Sequence, residues 1–142
     1  PDAVVMLGVA ARRDAINLER VALNMDDAAI ADNGGFTATG QRIVPDGPVG
    51  YWSTLPLNLM HKSLEQAQVP VRYSNHAGAY LCNHVFYRAR HYLEINGWGG
   101  VPCGFIHLPA IGKETPKMAL NTMVKAVQIC LNMLAVATVT RQ

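Results

Sequence analysis

Short apolar runs alternate with longer amphipathic stretches along this chain, and that alternation constrains its fold more than any other feature. The runs that predict strands cover 3–9, 20–24, 69–74 and 101–108. The stretches that predict helices run from a cap at Ser53 or Thr54 to Gln68, from 79 to 96, and onward from Thr115 and Pro116. This order predicts an α/β fold with three α/β/α layers, in which helices cover both faces of a mixed, mostly parallel sheet.

The composition fits a single domain over residues 1–142 and argues against two classes of partner. Hydrophobic residues make up 50% of the chain, which is enough to build a core at this length. The formal net charge is only +2, and basic and aromatic residues do not alternate, so we expect no nucleic-acid partner. The most apolar stretch, 118–139, is interrupted by Asn121, Lys125, Gln128 and Asn132. It therefore predicts a packed amphipathic helix and no membrane span.

The chain has three cysteines and no visible secretory segment. An odd number of cysteines favours free thiols in a reducing compartment, so we expect a cytoplasmic protein. Cys103 lies in a predicted strand and Cys130 on an apolar helix face, where cysteine usually acts as a small hydrophobe. Cys82 differs, because it stands among small residues where a strand-like run turns into a helical pattern.

Cys82 is therefore the candidate nucleophile. A helix N-terminus supplies unpaired backbone N–H groups and a positive dipole end, and both favour the reactive thiolate. A thiol hydrolase also needs a base, usually a histidine. His107 ends an apolar run just before Pro109, and ligands bind beyond the carboxyl ends of strands in open α/β sheets. The competing histidines are His61, His76, His84 and His91.

A metal site is the competing chemical interpretation. Cys82 with His84, and Cys103 with His107, could supply thiolate and imidazole ligands to zinc. Neither pair has the usual spacing of zinc ligands, and residues two apart diverge on a helix. The aspartates of the loop before the first predicted helix also lack the alternation of a calcium loop. We therefore expect no metal and no cofactor.

Four sequence runs carry a resemblance to a known family. In chain order they are LERVALNMDDAAIADNGG, DGPVGYWSTLPL, SNHAGAYLCNHVFY and GFIHLPA. Together they resemble the pyroglutamyl peptidase I (pyrrolidone-carboxylate peptidase) family. The resemblance implies an α/β/α thiol hydrolase that removes N-terminal pyroglutamate from peptides. It assigns Glu19 as the acid, Cys82 as the nucleophile and His107 as the base of a catalytic triad.

The same resemblance implies how the substrate is held and how the protein assembles. Tyr80 and Leu81 occupy the positions before the nucleophile where the family places an aromatic and an aliphatic residue against the pyrrolidone ring. The implied partners are peptides with N-terminal pyroglutamate, and members are often oligomers, so we expect a homo-oligomer. The family uses no cofactor.

Three departures from the family pattern accompany the resemblance. Ala29 stands where many members carry an arginine associated with the oxyanion, and the glycine-rich turn of the family is altered at 8–13. No run corresponds to the aromatic-rich N-terminal loop of the family, so we expect a missing N-terminal segment with one strand of the sheet. The missing segment and Ala29 favour an alternative function, a truncated or inactive protein that serves as a non-catalytic subunit. The retained Glu19, Cys82 and His107 favour the peptidase.

Overall fold

The computed structural model describes residues 1–111 and 118–139. The strands in those residues are β1 Val4–Val9, β2 Ile16–Glu19, β3 Val21–Leu23, β4 Gly50–Trp52, β5 Val71–Ser74 and β6 Cys103–Leu108. The helices are α1 Leu57–Gln66, α2 Leu81–Ile95 and α3 Leu120–Val139. The predicted elements are present where they were expected, apart from the boundaries considered below.

Four strands form the main sheet, in the order β1-β6-β2-β5. β1 pairs with β6 and β2 pairs with β5 in parallel, while β2 and β6 run antiparallel at the centre. β3 and β4 form a separate antiparallel pair. The prediction of a mixed, mostly parallel sheet is therefore confirmed.

Side-chain alternation along the central strands builds the three layers. Ile16 and Leu18 of β2 and Ile106 of β6 lie in the core that also contains buried residues of α1 and α3. Phe105, one position along β6, lies in a second core with Phe86 of α2. The sheet is therefore covered by α1 and α3 on one face and by α2 on the other, which confirms the α/β/α arrangement.

The prediction of one strand at 20–24 is wrong in its boundaries. The chain forms β2 and β3, which belong to different sheets. β2 is not a continuous apolar run, because Asn17 and Glu19 alternate with Ile16 and Leu18, and all four residues are buried. Polar groups are buried in this way only where they find hydrogen-bond partners.

The predicted cap of the first helix is also wrong. α1 begins after Pro56, and no side chain caps it. The Thr54 hydroxyl instead donates to the Val101 carbonyl at 2.8 Å and accepts from the Cys103 backbone N–H at 2.8 Å. Thr54 therefore fastens the loop before α1 to the start of β6.

α3 is long and apolar enough to cross a membrane by length and composition alone, a test that core helices also pass. Its buried residues Met123, Ala126, Cys130 and Leu134 recur every three to four positions, and they lie in the core shared with α1. This stripe agrees with the predicted packed helix. The predicted start at Thr115 and Pro116 lies outside the described residues.

The α2 layer lies close over the main sheet at Gly8 of β1. A Cβ atom at Gly8 would lie 2.7 Å from Phe105 Cζ and 3.2 Å from Cys82 Sγ. Real Cβ atoms essentially never approach another heavy atom as closely as 2.7 Å. Only glycine therefore lets Phe105 and Cys82 keep these positions.

We predict that Gly8→Ala destabilises the chain by about 1–3 kcal/mol, because the methyl group displaces the buried Phe105 ring. Denaturant unfolding followed by circular dichroism measures this change. Gly100→Ala is the matched control, since no heavy atom lies within 4 Å of its Cβ position, and its change should stay within about 0.5 kcal/mol. Equal unfolding midpoints for the two variants would contradict the steric explanation.

Candidate active site

A buried hydrogen bond joins two of the predicted site residues. His107 Nδ1 lies 2.7 Å from Glu19 Oε1, and both residues are buried. Asn17 of β2 pairs with His107 of β6 in the antiparallel register, and Glu19, two positions further, lies on the same face as Asn17. Neighbouring strands of the sheet therefore hold the carboxylate and the imidazole.

The same carboxylate oxygen also accepts a hydrogen bond from Arg13. Arg13 Nη1 lies 2.7 Å from Glu19 Oε1. A guanidinium only donates, so Oε1 accepts from Arg13. With Glu19 ionised, the proton between Glu19 and His107 is on Nδ1, and Nε2 of the neutral imidazole is then an acceptor.

Aromatic packing holds the imidazole in place. The rings of Phe105 and His107 have centroids 4.8 Å apart and are tilted by 50°. Phe105 is itself buried and lies 6.3 Å, centroid to centroid, from Phe86 of α2. The imidazole is therefore fixed by a hydrogen bond at Nδ1 and by a ring contact.

Cys82 is the second residue of α2 and is half-buried. Gly8 pairs with His107 in the parallel register of β1 and β6, so both positions face the same side of the sheet. Because the thiol lies 3.2 Å from the Cβ position of Gly8, it lies over the part of the sheet that carries His107. The structure thus brings Glu19, His107 and Cys82 to one place, although within the described residues no hydrogen bond joins Cys82 Sγ to another group.

Burial raises the pKa of the Cys82 thiol, and the negative charge of Glu19 raises it further, whereas the positive charge of Arg13 lowers it. The net direction is upward, so at neutral pH the resting side chain is mostly the neutral thiol. The thiol needs a base when it attacks.

The N-terminus of α2 has free backbone donors beside that thiol. The first intrahelical hydrogen bond runs from His84 N to Tyr80 O at 2.9 Å, and in residues 1–111 and 118–139 no side chain caps the helix. The N–H groups of Leu81, Cys82 and Asn83 precede that bond, so the helix itself offers them no acceptor. These donors can bind an oxygen that develops negative charge.

Asn83 is a positioning residue that the sequence analysis missed. It is fully buried, its Oδ1 accepts from Leu23 N at 2.9 Å, and its Nδ2 donates to Leu23 O and Met25 O, each at 2.9 Å. These bonds fix the start of α2 to β3 and to the chain that follows it. No sequence signal marks Asn83, because its role depends on a segment 60 residues away.

The predicted substrate-contact residues lie beside this centre. Tyr80 and Leu81 line a pocket of about 280 Å³ that also contains His84 and Asp26. His84 Nδ1 lies 2.6 Å from Asp26 Oδ2. Tyr80 Oη donates to Ala31 O at 3.5 Å, and the Leu81 side chain is exposed. Contact between these two residues and a substrate stays a prediction.

The remaining cysteines differ from Cys82 in their surroundings. Cys103 and Cys130 are buried, and burial raises the pKa of each thiol to about 11. Such thiols are inert at neutral pH. In residues 1–111 and 118–139, no group of three or more His, Cys, Asp or Glu side chains is arranged to hold a metal ion.

Comparisons with known proteins agree on one family. The family model described as pyroglutamyl peptidase matches residues 1–137. The pyrrolidone-carboxylate peptidase of Oceanobacillus iheyensis is 43% identical over 139 residues, covering 94% of this chain and 69% of that relative. The enzyme of the same name from Brevibacillus brevis is 42% identical over 137 residues, covering 92% of this chain and 63% of that relative.

A solved structure agrees with the sequence relatives. The pyrrolidone carboxyl peptidase from Thermococcus litoralis superposes with a TM-score of 0.92 at 33% identity, covering 100% of this chain and 69% of that chain. This chain therefore spans 63% to 69% of the length of these three proteins. Since the family model covers nearly all of its residues, the chain belongs to the pyroglutamyl peptidase family.

Proposed function

We propose that this chain carries the catalytic machinery of a cysteine peptidase that removes N-terminal pyroglutamate from peptides. The observation that carries the proposal is the 2.7 Å hydrogen bond between the buried Glu19 and His107, on the sheet face over which the Cys82 thiol lies. A carboxylate, an imidazole and a thiol in that order form the triad of a thiol hydrolase.

The first half of the reaction is acyl transfer to the thiol. His107 Nε2 takes the Cys82 proton as the sulfur attacks the carbonyl that joins the pyrrolidone ring to the next residue. The imidazolium that forms is stabilised by the Glu19 carboxylate at Nδ1. His107 then protonates the departing amine, and a thioester between the pyroglutamyl group and Cys82 remains.

The second half is hydrolysis of that thioester. His107 Nε2 removes a proton from water, the resulting hydroxide oxygen attacks the thioester carbonyl, and the proton returns to the sulfur. Pyroglutamate leaves and the thiol is restored, so atoms and protons balance over the cycle.

Both steps pass through a tetrahedral oxyanion. The free N–H groups of Cys82 and Asn83 at the start of α2 are the donors that we assign to it. One such donor is typically worth about 2.7–4 kcal/mol. Ala29 has no side-chain donor, so stabilisation of the oxyanion in this chain depends on backbone groups where many members also have an arginine.

Tyr80 and Leu81 are the side chains that we assign to the pyrrolidone ring. They directly precede Cys82 in sequence and line one pocket together with the apolar side chains of Phe36 and Ala38, and a compact neutral ring suits a mainly apolar wall with few polar partners. The retained Glu19–His107 hydrogen bond disfavours the alternative of a non-catalytic subunit, because burying a carboxylate is costly and adds little net stability.

We also propose a cytoplasmic location and assembly into a homo-oligomer. The three cysteines are free, and free thiols persist in reducing compartments. The exposed side of α3 carries Leu120, Val124 and Leu131, and apolar side chains grouped in this way often mark interfaces between subunits. Nucleic acid and membrane stay unexpected as partners.

We predict that the chain releases the fluorophore from a pyroglutamyl aminomethylcoumarin and that Cys82→Ala lowers kcat/KM by at least about 10³-fold. Iodoacetamide should abolish turnover by alkylating Cys82. This thiol is only half-buried, whereas Cys103 and Cys130 are buried. Cys130→Ala is the matched control and should keep most of the activity, since Cys130 lies in α3, on the other face of the main sheet from Cys82. Turnover that survives in Cys82→Ala would refute the thiol mechanism.

We predict that Glu19→Gln lowers kcat by about 10²–10⁴-fold, because the neutral amide no longer stabilises the imidazolium. The direction in which the pH dependence of kcat/KM shifts follows from the loss of the negative charge of Glu19. Losing a negative charge beside His107 and Cys82 makes the site release a proton more readily, so the acid limb of the kcat/KM profile moves to lower pH. Glu65→Gln, on the exposed side of α1, should leave both quantities unchanged. An unmoved acid limb in Glu19→Gln would contradict the assigned role.

A further inference from the structure

The Glu19 carboxylate is held in an unusual way. Oε1 accepts from Arg13 Nη1 and from His107 Nδ1, each at 2.7 Å. Oε2 is buried and has no hydrogen-bond partner among the residues that the structure describes. Both donors therefore act on the same oxygen, and a change in one is felt directly by the other.

A partly exposed cation faces this buried carboxylate. The Glu19 side chain has 0% exposure, whereas that of Arg13 has 29%. Because solvent screens a buried charge only weakly, the charge of Glu19 acts strongly on the groups around it. The guanidinium of Arg13 compensates that charge, and because it is partly exposed it needs less desolvation itself.

Arg13 also reaches beyond Glu19. Its positive charge lowers the pKa of the Cys82 thiol, opposite in direction to the effect of Glu19. The titratable groups that act at this centre are thus Arg13 from the chain between β1 and β2, Glu19 from β2, His107 from β6 and Cys82 from α2.

We propose that Arg13 is a positioning residue that compensates the charge of Glu19 and so sets how strongly that charge acts on His107 and Cys82. This inference rests on the proposed thiol-hydrolase function and adds a fourth member to its machinery. Arg13 does not touch the reacting atoms. It acts through the oxygen that it shares with His107.

Arg13→Met and Glu19→Gln should move the acid limb of the kcat/KM profile in opposite directions, and this difference is the test. Arg13→Met removes the positive charge but keeps much of the aliphatic side chain, so the negative charge of Glu19 acts on the imidazole and the thiol without compensation. The acid limb of the kcat/KM profile should then move to higher pH by roughly one unit, opposite to Glu19→Gln. At a pH on that limb, kcat/KM should fall about tenfold.

Two variants separate charge from structure. Arg13→Lys keeps the charge and should return the acid limb to within a few tenths of a unit of the parent profile. Arg12→Met removes an exposed neighbouring arginine and should leave the profile unmoved. If Arg13→Met does not fold, Arg13→Gln replaces it, because its amide can still donate one hydrogen bond to Glu19.

The rate of Cys82 alkylation by iodoacetamide, measured against pH, tests the proposal without substrate. In Arg13→Met its inflection should move to higher pH, and in Arg13→Lys it should not. A fall in activity with unmoved profiles in both assays would overturn the proposal, since a purely structural ion pair predicts that result. If the parent chain turned over no pyroglutamyl amide, the proposed function would fail, and the alkylation profiles would still decide the role of Arg13.

Discussion

One buried carboxylate oxygen, Glu19 Oε1, is the constraint on which the site depends. It accepts hydrogen bonds from Arg13 and His107, both at 2.7 Å, in a position that water does not reach. A buried ion pair of this kind adds little net stability and can be costly. The effect of this carboxylate is geometric and electrostatic. It fixes one tautomer of the His107 imidazole, and it places a negative charge beside the half-buried Cys82 thiol. The mixed sheet makes this possible, since β2 and β6 run antiparallel and place Glu19 diagonally across from His107.

A second set of contacts, which does not involve Glu19, holds the nucleophile Cys82. Asn83 binds the start of α2 to β3 and to Met25 O, and Gly8 leaves the space in which Phe105 and Cys82 meet. Neither Gly8 nor the side chain of Asn83 takes part in the chemistry. Together they fix the height of the helix N-terminus above the sheet, and therefore the approach of the thiol to the imidazole. The upward pKa shift of Cys82 then makes that approach necessary, because the thiol depends on a base for its proton.

Much of this arrangement could be predicted from the sequence, and the failures have physical causes. The strands β1 and β6 are predictable because they are short apolar runs, and the helices α1 and α2 because their apolar residues recur at helical spacing. β2 escapes notice because it has only four residues and, with Asn17 and Glu19 in it, is not an apolar run, although all four residues are buried. The sequence suggests Thr54 as a cap because its bonds to Val101 and Cys103 are set by tertiary structure. Arg13 escapes notice as a site residue for a similar reason, since an arginine in a turn usually faces solvent. The sequence motifs identify Glu19, Cys82 and His107, but no motif reports the protonation states of these side chains.

The tautomer of His107 is the most direct test of this arrangement. Nitrogen-15 NMR of the chain labelled at histidine, with His107 assigned by comparison with His107→Gln, reports which ring nitrogen carries the proton. We predict a proton on Nδ1 and a bare Nε2 at neutral pH, and loss of that preference in Glu19→Gln. A proton on Nε2 in the parent chain would contradict the account, because His107 could not then accept the proton of Cys82.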